Sequence, residues 1–347
     1  MIDINTAWSN FCNGDIGVST NVSESNNNIT PKCSSLYIST KTKISYLSHK
    51  VILHDVFWKV PIISYSEPKE GIIKKQMKIN SNSEEEFNML LENLNNERNK
   101  NYYINEQIIT HIVNEKGRIK YKDVRKISVG LHKKDIISFK CKKKGAFYNC
   151  FVVIIRIKHE NKFKELHVKI FNTGKLEIPG IKDDDLLFKA LNILINCLSP
   201  FIDDDLHYCV DKTETVLINS NFNCGYYINR EKLFKIIKTN YNIKSSYDAC
   251  SYPGIQCQFF YNNDLTIQTG IKHNDNDVKV SFMIFRTGSV LIVGKCTEEI
   301  LNVIYNFVKN MLEQEYNKIN IPNTIETVVD QNKNEKKNRK KTIIITV

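Results

Sequence analysis

The chain has 347 residues, 41% of them hydrophobic, enough to bury a sizeable core, so a wholly disordered or low-complexity protein is excluded. Its 49 Lys+Arg against 38 Asp+Glu leave a formal charge of +11, which favours an anionic partner such as nucleic acid, although a Lys-, Asn- and Ile-heavy composition also follows from an A/T-rich genome. No run of 18 or more apolar residues occurs, and "MIDINTAWSNFC" lacks a basic start and an apolar stretch, so a soluble, intracellular protein with no membrane partner is expected.

Residues 1–34 are rich in Asn, Ser and Thr and read as a flexible arm, with a short helix near Ala7 to Phe11. A strand at "LYISTKTKI" and a short helix around Ile52 to Trp58 follow. Further on, Ser83-Glu84-Glu85-Glu86 opens a helix by a capping box, with Phe87, Leu90, Leu91 and Leu94 on one stripe. After the strong strand "FVVIIRI", "ELHVKIF" alternates across two faces, "NTG" turns the chain, and "KLEIPG" is the next strand. Asp183 then stands at a helix N-cap, and Leu187, Leu191 and Leu194 mark the buried stripe of the helix.

The same grammar returns downstream. A strand at "TVLINSNF", a helix from about Asn229 and a strand at "GIQCQFFY" lead to "VKVSFMIF", "RTG" and "SVLIVG"; Thr297 caps a helix with Leu301, Ile304, Phe307 and Val308. Aligned at an offset of 114 residues, Ile170 to Asn196 and Ile284 to Asn310 agree at nine of 27 positions, Phe171/Phe285, Thr173/Thr287, Gly174/Gly288 and Gly180/Gly294 among them. This is a duplication of one α+β unit, with a period far too long for a solenoid. Leu36 to Phe171 spans 135 residues against 70 from Thr215 to Phe285, so copy one holds about 65 more, placed at about 65–144 and long enough to fold. The expected organisation is an arm (1–34), repeat 1 with its insert (35–200), repeat 2 (201–320) and a basic tail (321–347), whose "QNKNEKKNRKK" carries six basic residues and one acid.

Ten cysteines are scattered without a CxxC or CxxH pair, the eight histidines show no i, i+4 pairing, and P-loop, GxGxxG and GxSxG motifs are absent. Asp183-Asp184-Asp185 and Asp203-Asp204-Asp205 with His207 suggest the ligands of a metal-dependent nuclease. The stronger reading has the first triplet capping a helix and the second in the linker between repeats. No catalysis, cofactor or metal is expected.

The tandem order strand, helix, strands, "IF-x-T-G", strand, Gly, acidic cap and long helix resembles the TATA-box-binding protein (TBP) core. The family signature "LIFSSGKxVxTGAKS" is similar to "KIFNTGKLEIPGIKD" and "MIFRTGSVLIVGKCT", and a second one, "LFPGLIYR", is similar to "SYPGIQCQ" at Ser251 to Gln258. The resemblance covers roughly Leu36 to Ser64 and Lys144 to Tyr316, and is closest to the divergent TBP-like proteins of large DNA viruses. It implies a tandem-duplicated α+β saddle, a curved antiparallel sheet with helices on the convex face and an open apolar face that needs a partner. In that family the partner is the DNA minor groove, and TBP is itself the standard instance of a reader that kinks DNA with inserted apolar wedges. The groove distinguishes A·T from G·C, and flexible TA steps deform most cheaply.

Carried over by position, the resemblance implies wedges at Phe171, Phe285 and Tyr252. The fourth position falls among Phe147, Cys150 and Phe151, with Phe147 taken as the candidate. If Phe171 faces DNA, alternation puts His167, Lys169, Thr173 and Lys175 on its face, and Met283, Thr287, Ser289, Leu291 and Val293 around Phe285. Asn219 or Asn221 serves as the family's asparagine in copy two; copy one offers only Ser39 or Thr40. Glu177 and Pro179 depart from the pattern, and the carboxylate repels DNA unless paired, with Lys175 as its candidate partner. The implied function is a transcription initiation factor, a monomeric pseudo-dimer that binds A/T-rich promoter DNA and recruits initiation proteins and RNA polymerase, in the nucleus or a cytoplasmic viral factory. The rivals are a protein-docking scaffold of the same fold that does not bend DNA and, further off, the nuclease.

Overall fold

The computed structural model describes residues 30–114, 116–137 and 148–321. Copy one begins with β1 (Tyr37–Tyr46), α1 (Leu53–Lys59) and β2 (Gly71–Ser81), continues through α2 (Glu84–Asn99), β3 (Ile104–Val113), β4 (Tyr121–Gly130) and α3 (Lys133–Ile137), and closes with β5 (Cys150–His159), β6 (Lys162–Phe171), β7 (Lys175–Ile181) and α4 (Asp184–Ile202). Copy two comprises β8 (Glu214–Asn223), β9 (Tyr227–Ile228), α5 (Arg230–Thr239), β10 (Lys244–Ser246), β11 (Gly254–Tyr261), β12 (Val278–Phe285), β13 (Ser289–Gly294), α6 (Glu298–Gln314), α7 (Tyr316–Ile319) and β14 (Asn320–Ile321).

One twelve-stranded sheet runs β10-β11-β12-β13-β8-β1-β7-β6-β5-β2-β4-β3. Without β4 and β3 the order is a palindrome of five strands per copy, joined where β1 pairs antiparallel with β8 through Thr40↔Asn219 and Lys41↔Ile218. The chain is thus an α+β protein with a large curved antiparallel sheet, a TBP-like saddle. Gly71–Ser81 pairs with β5 where β10 pairs with β11, so it belongs to the repeat and not to the insert placed at about 65–144. The added segment lies between β2 and β5. The equivalence was hidden because β2 has 11 residues and β10 only 3.

Strand alternation gives the sheet two unlike faces. Phe151, Val153, Ile155 and Ile157 of β5 meet Leu187, Leu191, Leu194 and Leu198 of α4 in one core, and Phe282, Ile284, Val290 and Ile292 meet Leu301, Ile304 and Val308 of α6 in the other. Helix α4 is long and apolar enough to cross a membrane by length and composition, but here its apolar stripe fills the first core. The caps read from the sequence form: Asp183 Oδ1 accepts Leu186 N–H at 2.8 Å, Thr297 Oγ1 accepts Ile300 N–H at 3.4 Å, and Ser83 Oγ accepts Glu86 N–H at 3.2 Å. At the join, Lys43 pairs with Asp184 (2.9 Å) and Lys41 with Glu298 (2.6 Å), so two lysines of one strand hold the first turns of both long helices. Ser34, placed in the flexible arm by its composition, is held on copy two by its backbone N–H to Asn223 O (2.8 Å) and by Tyr305 Oη to its carbonyl (2.8 Å).

The turns after β6 and β12 are built alike. Gly174 (φ 82°) and Gly288 (φ 79°) donate to Phe171 O at 2.9 Å and Phe285 O at 3.0 Å, and accept from Leu47 N (2.8 Å) and Cys224 N (3.0 Å). A Cβ on either would lie 2.5 Å from His49 O or 2.4 Å from Tyr226 O, so backbone strain and backbone collision coincide. Gly288→Ala is therefore expected to destabilise the protein by about 2 kcal/mol or more, read by denaturant titration.

The insert is moored through Lys75, which is 1% exposed. Its Nζ donates to Val60 O at 2.9 Å and lies 3.5 Å from Glu97 of α2. Burial lowers its pKa from 10.5 to about 8, against the opposing pull of Glu97. Between those values the unfolded chain binds more protons than the folded one, so this group makes stability rise with pH across that window. Relative to Lys75→Met, the wild type should gain on the order of 2 kcal/mol between about pH 8 and pH 10 in parallel urea titrations; equal slopes would contradict this.

Candidate nucleic-acid interface

The sheet face opposite the two cores carries the sequence-derived residues. Phe171 and Phe285 end β6 and β12 at the turns just described; both are half-buried, and neither belongs to a core or lies beneath a core helix. Tyr252 stands two residues before the start of β11, where Gly254 pairs with Phe285, and the Tyr252 and Phe285 rings meet edge to face at 5.9 Å between centroids. Gly254 makes room for them: a Cβ there would sit 3.0 Å from the Phe285 ring and 3.1 Å from that of Tyr252.

Copy one repeats this with a change. Cys150 pairs with Phe171 as Gly254 pairs with Phe285, so Tyr148, two residues before Cys150, is the counterpart of Tyr252. The sequence signal was available as Tyr-Asn-Cys against Tyr-Pro-Gly, but the longer loop between β11 and β12 shifts the offset by ten residues and hides it. Of the positions considered for the fourth wedge, Cys150 is buried, Phe151 packs edge to face on Phe57 inside the core, and Phe147 lies outside the described residues. Tyr148 is 59% exposed, with the Lys78 ammonium 3.4 Å above its ring centroid.

Between the aromatic ends run polar and small apolar side chains. Ser289, Leu291 and Val293 of β13 alternate onto this face, Leu291 opposite Asn221 and Val293 opposite Asn219, and Thr40 of β1 completes the row across the join. The Asn219 and Asn221 amides have no side-chain hydrogen bond among the described residues, whereas Ser289 Oγ accepts from Thr287 Oγ1 (3.3 Å) and Asn223 Nδ2 (3.4 Å). Thr173 and Thr287 are exposed in the turns. Lys175 Nζ lies 5.8 Å from the Phe171 ring centroid. Glu177 pairs with Lys169 at 2.6 Å, not with Lys175, because the β6–β7 register sets Lys169 directly opposite it. Pro179, with no N–H to give, coincides with the end of β6–β7 pairing, and Gly180 (φ 88°) with the register shift against β1.

The two halves of the face differ in cover. Lys74, Ile154 and Arg156 alternate onto it yet are only 7%, 4% and 6% exposed. Lys74 reaches Asp135 of α3 at 2.6 Å, Lys133 N–H donates to Glu165 at 3.2 Å, and the His132 ring stands 5.7 Å from that of His167. Arg156 donates to Lys69 O (2.9 Å) and Tyr65 O (2.7 Å). The α3 turn and the 64–69 segment therefore lie over the outer end of copy one's face, a departure from the uniformly open face expected.

The acidic triplets do not converge. Asp183 caps α4, Asp184 pairs with Lys43, and Asp203 lies 3.8 Å from His49; no group of three or more His, Cys, Asp or Glu among the described residues is placed to hold a metal.

Fold and face together define a duplicated saddle of TBP type, with matched aromatic-tipped turns standing clear of the helices. The chain resembles the TATA-box-binding protein family, and within it the TBP-like proteins of large DNA viruses. No protein-family model matches it. A protein named "TATA-box-binding protein-like" from Acanthamoeba polyphaga mimivirus is 26% identical over 201 residues, 54% of this chain and 54% of that protein, so the chain spans about half the length of this curated relative. Among solved structures, Methanococcus jannaschii TBP aligns with 81% of this chain and 99% of its own at 11% identity and a TM-score of 0.38.

Lys78 and, more weakly, Lys122 hold the Tyr148 phenol below its ordinary pKa, Lys78 acting as both hydrogen-bond donor and charge. With tyrosine-ring carbon labels followed by NMR across alkaline pH, Tyr148 is expected to titrate early and to move back up in Lys78→Gln. A phenol indifferent to that change would mean the ammonium does not sit on the ring.

Proposed function

We propose that this chain is a TBP-like transcription initiation factor that binds A/T-rich promoter DNA through the minor groove and recruits transcription proteins, RNA polymerase among them, without catalysis of its own. The observation that carries the reading is the pair of duplicated aromatic turns, Phe171 and Phe285, on the one face the core helices leave uncovered, each with a tyrosine beside the strand it pairs with. Rings held by a rigid turn can enter between base steps while the strands between them lie along the opened groove. Asn219 and Asn221 present amide donors at the join, where the A·T edge offers only acceptors. Leu291 and Val293 supply an apolar floor, and Lys175 adds positive charge at the copy-one end.

The cover over copy one and the Lys169–Glu177 pair favour a second reading, a scaffold of the same fold that docks transcription proteins without bending DNA. A gel shift separates the two. The full chain should bind a TATA-containing duplex more tightly than a G·C-rich one and weaken with rising salt. Phe285→Ala should lose about 1–3 kcal/mol, roughly 5- to 150-fold, and Phe171→Ala less. Equal affinity for both duplexes, unmoved by either substitution, would leave the scaffold.

A further inference from the structure

The two copies carry a lysine at the same place and treat it differently. Cys150 pairs with Phe171 as Gly254 pairs with Phe285, so Ile154 of β5 and Gln258 of β11, each four residues further on, are equivalent. Their partners on the next strand outward, Lys74 of β2 and Lys244 of β10, are then equivalent too. On copy two Lys244 is exposed, with Ser246 and Gln256 exposed beside it on the same face. On copy one Lys74 is 7% exposed, and its Nζ lies 2.6 Å from Asp135 Oδ2. A carboxylate stands where the other copy leaves room for an anion. The element that brings it is fastened by polar contacts: α3 has no buried residue, none of its side chains joins either core, and its hold on the face is the Lys74–Asp135 pair together with Lys133 N–H to the Glu165 carboxylate at 3.2 Å. From its own side the Asp135 carboxylate accepts His132 N–H at 3.1 Å and is bonded to His132 Nδ1 at 2.5 Å. A phosphate oxygen offers Lys74 the same charge-assisted bond, so one anion can replace the other there.

We infer that Lys74 marks a site for a backbone phosphate of duplex DNA at the outer end of copy one, and that Asp135 occupies this site in the free protein, making α3 a latch the duplex displaces to seat fully on that half. The inference rests on the DNA-binding reading above. It accounts for a cover that is ionic where the rest of copy one's packing is apolar: an ion pair yields to a competing anion, whereas a buried hydrophobic contact does not. A seat that is closed in most molecules lowers the apparent affinity by the fraction in which it stands open, so freeing Lys74 raises it. Phosphate contacts position a protein and carry no sequence information, so the latch sets affinity and salt dependence and leaves the preference for A·T as it is.

The test is a double-mutant cycle on the full chain, with Asp135→Asn, Lys74→Gln and the two combined, read by gel shift on the TATA-containing duplex over a salt series. Asp135→Asn withdraws the charge and keeps an oxygen to accept His132 N–H; a urea titration checks that each variant is folded. It should bind about fivefold or more tightly than wild type, with a log–log salt slope steeper by up to about 0.9, the share of one phosphate. Lys74→Gln should stay near wild type, having lost latch and phosphate contact together, and in its background Asp135→Asn should gain nothing. Glu165→Ala removes the other hold on α3 and leaves Asp135 in place; it should gain in the same direction, again only with Lys74 present, and it serves where Asp135→Asn does not fold. The latch is overturned if the gain survives Lys74→Gln, since it would then come from the lost negative charge alone. It is also overturned if neither variant binds more tightly than a wild type that Phe285→Ala weakens. If wild type and variants all bind no duplex, the DNA reading fails and takes the latch with it.

Discussion

Backbone pairing between β1 and β8 makes two copies into one surface. Each copy alone would present a strand edge at this point, with unpaired N–H and C=O groups inviting association. Joined antiparallel, the edges satisfy one another, and the pseudo-twofold axis passes between them. Lys41 and Lys43 then reach from one strand to the N-termini of α6 and α4, so the join sets sheet and helices at once. All else on the open face, the distance between aromatic turns and the placing of Asn219 beside Thr40, follows from that register.

The copies have since been free to diverge, and they have done so at different levels. Copy two keeps a glycine under its aromatic pair, lets the two rings touch, and leaves its row of Ser289, Leu291 and Val293 open. Copy one has Cys150 in place of that glycine, a carboxylate and a proline in place of the two aliphatic residues, and a lid of α3 over its outer strands. The insert that supplies the lid also widens the sheet, and buried Lys75 ties it to the scaffold at a desolvation cost partly offset by Glu97 and by the carbonyls of Trp58 and Val60. One half of the saddle is thus shaped for close apolar contact; the other is covered, charged and longer.

Much of this was legible in the chain. The repeat at 170–196 and 284–310, the caps at Ser83, Asp183 and Thr297, and the glycine turns are local features, because hydrogen bonds between near neighbours and the period of apolar residues decide them. The resemblance to the duplicated signature implied Phe171, Phe285 and Tyr252 as wedges, and alternation along each strand then assigned the neighbours on the face of Phe171 and of Phe285, since side chains two apart on a strand share a face.

What needed the tertiary structure was every relation across strands. Whether Glu177 meets Lys169 or Lys175 depends on register, and a slip of one residue reverses it. The counterpart of Tyr252 was misplaced because loops of unequal length separate equivalent strands, so that only the pairing of Cys150 with Phe171 identifies Tyr148. The status of β2 as a repeat strand, and the covering of Lys74 by α3 and of Arg156 by the 64–69 segment, also depend on segments far apart in the chain. Local sequence determined the pieces and which way their side chains face; long-range pairing, where backbone hydrogen bonds are indifferent to residue type, decided which pieces became neighbours.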